Sequence, residues 1–195
     1  EEHQAAALDE EKQRALGAIA RAAIRQGLEQ GKQANLALDG VAPDLMRPGA
    51  AFVTLKHEGR LRGCIGSLAA HQALALDVAK NAHASAFKDR RFNPLTAAEF
   101  AGIEIAISIL SPPQEMSFSS EADLVAQIRP GLDGMILADQ GKRGTFLPTV
   151  WESYPEAATF FQHLKRKAGL KPDHWSDTVK VWRYTTESFE VADES

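Results

Sequence analysis

The chain has 195 residues, of which 44% are hydrophobic and 25% are charged. This composition is typical of a globular protein, and the length suits one ordinary domain or two small lobes. No apolar run approaches the ~20 residues that a membrane helix requires. The formal net charge of −4 is the wrong sign for a generic nucleic-acid-binding protein. A single cysteine, Cys64, excludes an intramolecular disulfide. With no signal-peptide pattern at the start, these features predict a cytoplasmic protein that binds neither membrane nor nucleic acid.

The first half of the chain predicts a helix, a β-hairpin and a second helix. Asp9 suits the cap of the first helix, and the residues after it carry an apolar stripe at helical spacing. The segment before the hairpin is rich in glycine and proline, which predicts a loop. In chain order, these elements are a helix at 9–28, a loop at 31–50, strands at 51–56 and 60–68 joined by an HEG turn, and a helix at 71–87.

The second half predicts short strands mixed with short helices. In chain order, these are a capped turn at 96–99, a strand at 103–110, a helix at 120–128, strands at 135–139 and 145–148 around a loop or hairpin tip at 140–144, a helix that begins at Pro155 and ends at Gly169, and strands at 179–184 and 188–191. Because helices and strands do not alternate regularly, the order predicts an α+β fold with a largely antiparallel sheet flanked by helices.

The most informative segment is LRGCIG, at residues 61–66. Alternate side chains of a strand share a face, so Arg62 and Cys64 are expected to point the same way. A guanidinium beside a thiol favours the thiolate, and Gly63 and Gly66 leave room for a ligand or another backbone. These are the ingredients of a nucleophile or a ligand pocket. The alternative is a small buried cysteine beside two packing glycines.

Other chemical signals are weaker. None of the six histidines has a spacing that points at Cys64 as a base, and HExxH and CxxC are absent, so we expect neither a metal site nor a cofactor. Basic runs occur at 88–91, 142–143 and 165–167. Each run alone is typical of a solvated face. If they converge with Arg62, they would form a pocket for phosphate or carboxylate.

Several motifs together resemble the AMMECR-type domain family, whose microbial members are called AmmeMemoRadiSam system protein A. The segments GAAFVTLKHEGRLRGCIGSL, AFKDRRFNPLT, ISILSPP, IRPGLDGMIL, KRGTFLPTVW, LKRKAGL and WRYTTE occur in the order found in that family. The match extends over about residues 9–190. The resemblance implies one compact domain over 1–195, in which two unequal lobes share one core around an antiparallel sheet.

The resemblance also implies a functional site at the LRGCIG segment, in a cleft between the lobes. Carried over residue by residue, Cys64 and Arg62 are the catalytic candidates. The substrate-binding candidates are Gly63, Ile65, Gly66, Asp89, Arg91, Arg143, Thr145 and Lys167.

Three hypotheses follow for this site. In the first, the chain is a cysteine-dependent enzyme in a modification pathway with Memo-like and radical SAM proteins. Cys64 would be its thiolate nucleophile, activated by Arg62, and basic residues would orient a small anionic substrate for acyl or thioester chemistry. In the second, the chain is a non-catalytic binding or adaptor module whose cleft holds a peptide, a metabolite or a partner segment. In the third, LRGCIG is a packing device.

Overall fold

The computed structural model describes residues 8–33 and 35–193. These residues fall into two units, the first containing the residues up to Leu110 and from Glu187 onwards, and the second containing Ser111–Thr186. Each unit has a hydrophobic cluster of its own. The pairings around the central strands of both sheets are antiparallel, which confirms the predicted α+β class.

The secondary structure consists of five helices and nine strands within the described residues. The helices are α1 (Glu10–Gln30), α2 (Leu74–Phe87), α3 (Ala97–Phe100), α4 (Glu121–Gln127) and α5 (Ala157–Ala168), with 3-10 turns at Pro43–Met46 and Pro148–Glu152. The strands are β1 (Pro48–His57), β2 (Arg60–Gly66), β3 (Gln72–Ala73), β4 (Ile103–Leu110), β5 (Gln114–Glu115), β6 (Gly134–Asp139), β7 (Lys142–Phe146), β8 (Lys180–Tyr184) and β9 (Thr186–Glu190). None of the described helices combines the length and the apolar character needed to cross a membrane.

The first unit is a sheet with helices on one face. Its strand order is β2-β1-β4-β9, and β3 pairs with the start of β1. Helix α2 packs on β1 and α1 packs on α2. Val53 of β1 and Ile107 of β4 are fully buried in this core. Since strand side chains alternate, Thr54 and its cross-strand partner Cys64 lie on the opposite face of the sheet.

Local sequence chemistry explains the ends of these elements. Asp9 accepts a hydrogen bond from the backbone N–H of Lys12, as expected of a helix cap. The β1–β2 turn consists of Glu58 and Gly59, both with positive φ (52° and 74°), which is the geometry that closes a two-residue hairpin. Strand β1 begins at Pro48, three residues earlier than predicted, because its start pairs with β3.

The second unit is a smaller sheet with the order β5-β8-β6-β7. Buried side chains of β6 and β8 pack with those of α4 and α5. The predicted loop at 140–144 is wrong in part, because Gln140 and Gly141 alone make a tight turn with positive φ and β7 already begins at Lys142. The strand predicted at 145–148 ends at Phe146, and Pro148 begins a 3-10 turn.

Helix α5 also differs from its prediction. It begins at Ala157 rather than at Pro155, and it ends as predicted at Gly169, whose φ is 90°. Lys165, predicted in a solvated basic run, is 1% exposed. Its ammonium group bonds to the carboxylate of Glu121, and it donates a hydrogen bond to the Pro172 carbonyl over 3.2 Å. A buried charge is expected to have such partners.

Candidate functional site

Cys64 lies on β2, at the edge of the first unit's sheet, and is half-buried. Its sulfur shares a hydrogen bond with the Thr54 hydroxyl across the β1–β2 ladder, at 3.2 Å. Its backbone N–H donates to Asp89 Oδ2 over 3.0 Å, and its carbonyl accepts a long bond of 3.4 Å from Arg91 Nη2. The segment after α2 therefore occupies the groups of Cys64 that a further strand would bind.

Asp89 is the buried anion of this arrangement. It is 6% exposed, and it accepts hydrogen bonds from the Arg91 guanidinium over 2.7 and 3.0 Å as well as from the amide of Cys64. The hydrogen bond with the Arg91 side chain is the main reason why the pKa of Asp89 lies well below its ordinary value. Asp89 stays ionised and holds the Arg91 guanidinium next to Cys64.

Arg91 is the cation that interacts with Cys64. The pKa of Arg91 is raised, chiefly by the hydrogen bond with Asp89 and also by the electrostatic interaction with Cys64. More than half of the Arg91 side chain, 57%, is exposed, so the guanidinium can meet a ligand as well as the sulfur. Sequence analysis gave Arg91 a substrate-binding role and assigned the thiol's cation to Arg62.

The structure gives Arg62 different partners. The register between β1 and β2 shifts at Leu55, which makes Arg62 the extra residue of a β-bulge, and simple alternation no longer places it beside Cys64. Its Nε and Nη2 bind the Glu99 carboxylate over 2.7 and 3.1 Å, and Nη2 also donates to the Asn93 carbonyl. Arg62 thereby joins the edge strand to the start of α3.

An aromatic ring links the two arginines of the site. The Phe92 ring centroid lies 5.8 Å from Arg62 Cζ and 5.4 Å from Arg91 Cζ. Both distances fall within the range of cation–π contacts. Arg62 therefore contributes to the position of the Arg91 loop rather than to the thiol itself.

A stripe of polar residues on α2, absent from the sequence interpretation, supports the Cys64 strand. Asp77, Asn81 and Ser85 are spaced four residues apart and are all buried, and Asp89 continues the spacing just beyond the helix. Asp77 accepts from the backbone N–H of Ala51, and Asn81 donates to the carbonyl of the same residue. We call these four residues the polar stripe. The apolar repeat that predicts α2 (Leu74, Val78, Ala82 and Ala86) runs beside this polar repeat, which was not predicted.

Ser85 connects both strands of the hairpin. Its hydroxyl accepts a hydrogen bond from the Ile65 N–H over 2.9 Å and donates one to the Val53 carbonyl over 2.7 Å. The two glycines of the motif make this close packing possible. A Cβ on Gly63 would lie 2.0 Å from the Ser85 carbonyl oxygen, and a Cβ on Gly66 would lie 2.2 Å from the Phe52 ring. These glycines therefore leave room for neighbouring parts of the protein.

The contacts limit the chemistry that Cys64 can perform. The amides of Cys64 and Ile65 are already bound by Asp89 and Ser85, so they are not free to stabilise an oxyanion. Among the described histidines, none hydrogen-bonds to Cys64. His83, on α2, is 4% exposed and packs against Phe87, and burial lowers its pKa. Arg91 is an exposed cation of the site that could meet anionic charge developing on a substrate.

The remaining predicted residues belong to the second unit. Thr145 has a structural role, since its hydroxyl donates to the Met135 carbonyl over 2.8 Å and shares a hydrogen bond with Tyr184, whose pKa is raised by burial to about 12. Arg143 Cζ lies 5.9 Å from the Trp182 ring, and Lys167 Nζ lies 5.2 Å from the Phe146 ring. The predicted site residues therefore fall into two groups. The first unit contains Arg62, Gly63, Cys64, Ile65, Gly66, Asp89 and Arg91, and the second unit contains Arg143, Thr145 and Lys167.

The Arg62–Glu99 pair predicts an acid-sensitive part of the stability. The hydrogen bond from Arg62 is the main reason why the Glu99 pKa falls from 4.5 to about 2. A lowered pKa stabilises the fold above the ordinary value, and this stabilisation is lost as the pH falls through the folded value. Glu99→Gln should therefore cost about 1 kcal/mol at pH 7, allowing for solvent screening. In urea unfolding, that difference should shrink between pH 4.5 and 2. A constant difference would show that the charge does not matter.

Comparison with known proteins places the chain in a family. A 187-residue alignment with a protein from Methanothermobacter thermautotrophicus is 36% identical and covers 94% of this chain and 96% of the relative. A protein from Saccharolobus solfataricus is 37% identical over 185 residues, covering 91% of this chain and 80% of that relative. The crystal structure of an uncharacterized protein from Pyrococcus horikoshii superposes with a TM-score of 0.87 at 31% identity, covering 94% and 93% of the two chains. The AMMECR1 family model matches residues 17–189, and the chain belongs to this family.

Proposed function

We propose that the chain is a cysteine-dependent enzyme in which Cys64 is the thiolate nucleophile and Arg91 is the cation next to it. The observation that carries the proposal is the arrangement of Asp89, Arg91 and Cys64. The buried carboxylate holds the guanidinium at the cysteine, where Arg91 Nη2 lies 3.4 Å from the Cys64 carbonyl oxygen. A neighbouring guanidinium favours the thiolate, which is the nucleophilic form. The Thr54 hydroxyl, 3.2 Å from the sulfur, can donate a hydrogen bond to that thiolate.

The same contacts indicate the kind of substrate. Attack by the thiolate on a carbonyl or thioester carbon would form a covalent bond to sulfur and place negative charge on the substrate oxygen. Since the Cys64 and Ile65 amides are occupied, the exposed guanidinium of Arg91 is the group in the first unit that can meet this charge. Arg62, bound to Glu99 and 5.8 Å from the Phe92 ring centroid, acts as a positioning residue.

The test is the rate of Cys64 alkylation in three arginine variants. We expect Arg91→Gln to lower the ratio of the rate at pH 7 to the rate at pH 9.5 by about threefold or more, because the half-exposed cation no longer favours the thiolate. Arg62→Gln should lower it less. Arg90→Gln removes the same charge from an exposed neighbour and is the matched control. Equal ratios in all three variants would contradict a role for Arg91.

A non-catalytic binding module is the second candidate, and one observation favours it. No histidine among the described residues bonds to Cys64, and the nearby amides are occupied, so the site lacks a preformed base and oxyanion hole. In this case the exposed Arg91 would recognise an anionic group of a peptide, metabolite or partner segment. Partner affinity would then survive Cys64→Ser and would fall on charge reversal in Arg91→Glu. An enzyme would instead lose its activity in Cys64→Ser.

We further propose Memo-like and radical SAM proteins as partners and the cytoplasm as the location. The family resemblance supports the partners, and the single cysteine supports a reducing compartment. The affinity of each purified partner protein for the wild-type, Cys64→Ser and Arg91→Glu chains tests the proposed partners.

A further inference from the structure

Two cations of the second unit flank a small residue on one face of its sheet. In the antiparallel register, Arg143 of β7 and Lys180 of β8 are both paired with Ala138 of β6, which lies between them. Paired residues of neighbouring strands point to the same face of a sheet. The two side chains therefore rise on either side of Ala138, from backbone positions about 10 Å apart. Both can reach a ligand placed over the alanine.

The charges of these residues are not neutralised by a neighbouring acid. Within the described residues, neither Arg143 nor Lys180 forms an ion pair. Asp139, which follows Ala138 in β6, also lines the surface between the two cations, but it is only 5% exposed. Its carboxylate accepts hydrogen bonds from Ser176 and Thr178 over 2.7 and 2.6 Å and is bonded to His174 over 2.6 Å, and its pKa is lowered to about 2. The Asp139 carboxylate is therefore already bonded to residues of the loop that precedes β8.

The surface between the two cations is concave. A depression of about 560 Å³ is lined by these three residues together with Asp139, Lys142, Thr178 and the turn between β6 and β7. Ala138 forms its floor because a methyl side chain leaves the space between two long ones empty. The Trp182 ring, two residues after Lys180 in β8, lies 5.9 Å from Arg143 Cζ and gives the arginine a cation–π contact. The volume lies within the range of small-molecule sites.

We propose that this depression binds the phosphoryl group of a small phosphorylated molecule. Two cations that line one depression and form no ion pair among the described residues match a dianion better than a single carboxylate. Arginine offers a planar pair of donors to phosphate oxygens, and lysine adds a compact positive charge. We name the depression between Arg143 and Lys180 the phosphoryl site. It is independent of the chemistry proposed for Cys64, since all of its lining residues belong to the second unit.

The experiment is an NMR titration of the isotopically labelled chain with inorganic phosphate at constant ionic strength. We expect saturable shifts of the Ala138 and Arg143 amide signals and of the Trp182 indole signal. Glycerol 3-phosphate should produce the same shifts, and glycerol should produce none. Arg143→Gln and Lys180→Gln should each weaken phosphate binding about tenfold, as expected for the loss of one charged hydrogen-bond donor.

Two further variants distinguish a specific phosphate site from a general attraction of phosphate to positive charge. Lys171→Gln removes an exposed lysine of the same unit outside the depression and should leave the affinity unchanged. Ala138→Leu fills the floor without changing the charge and should abolish binding, while the rest of the spectrum confirms the fold. The proposal is overturned if phosphate shifts no signal at the depression, if glycerol shifts it equally, or if Lys171→Gln weakens binding as much as Lys180→Gln.

Discussion

Gly63→Ala is expected to lower the free energy of unfolding by about 3 kcal/mol or more, at the upper end of the cost of overpacking. The added Cβ would lie 2.0 Å from the carbonyl oxygen of Ser85, a backbone atom that cannot rotate away. Relief requires that β2 move away from α2. Such a movement would break the hydrogen bonds from the Ile65 and Cys64 amides to Ser85 and Asp89.

Urea unfolding of two further glycine variants tests this explanation. Gly102→Ala is the matched control, because its nearest neighbour is a side-chain atom of His57 at an ordinary distance of 3.6 Å. Gly66→Ala should have an intermediate effect, since the atoms it meets belong to the Phe52 ring, which can turn. If Gly63→Ala were no more destabilising than Gly102→Ala, the close contact between β2 and α2 would not exist in solution.

Asp89→Asn is expected to lower the free energy of unfolding by about 2 kcal/mol. The amide cannot replace a carboxylate that accepts from both the Arg91 guanidinium and the Cys64 amide. The cost is limited because the half-exposed Arg91 regains water. The Asp89 pKa is depressed, so its stabilisation is complete above the ordinary value of 3.8 and persists until strongly acidic pH.

The second effect of this variant concerns the cysteine. Once released from Asp89, Arg91 no longer stays next to Cys64, and the alkylation ratio should fall to that of Arg91→Gln. Combining Asp89→Asn with Arg91→Gln should then add little further loss, since both changes remove the same interaction. Glu104→Gln, at an exposed position of β4, is the control for a lost carboxylate. Additive losses in the double variant would show that the two residues act separately.

Much of the fold could be predicted because its signals are local. The Thr96–Glu99 capping box and the hairpin turn at Glu58 and Gly59 each depend on a few adjacent residues, and both are present as predicted. The boundary of β1 depends on its pairing with β3, which is distant in sequence. The boundary of β7 depends on a turn that is tighter than its composition suggests. These boundaries were therefore less accurate than the elements themselves.

The site was harder to predict, for a different physical reason. Cys64, Asp89 and Arg91 were identified, but the pairing of each arginine depends on a one-residue bulge at Arg62. A bulge is a property of two paired strands, and strict alternation hides it. The burial of Lys165 is a similar case, because its partner Glu121 is 44 residues away. Such pairings are set by the tertiary structure.

The polar stripe also determines which changes of chain length the fold can accept. Four residues advance an α-helix by about 6.0 Å, so the stripe presents one polar group to the hairpin for each such advance. Inserting or deleting a single residue between Asp77 and Ser85 would rotate the groups beyond it by about 100°. The Val53 carbonyl and the amides of Ile65 and Cys64 would then lose their partners together. The spacing of the polar groups along α2 is therefore as important to the fold as their identity.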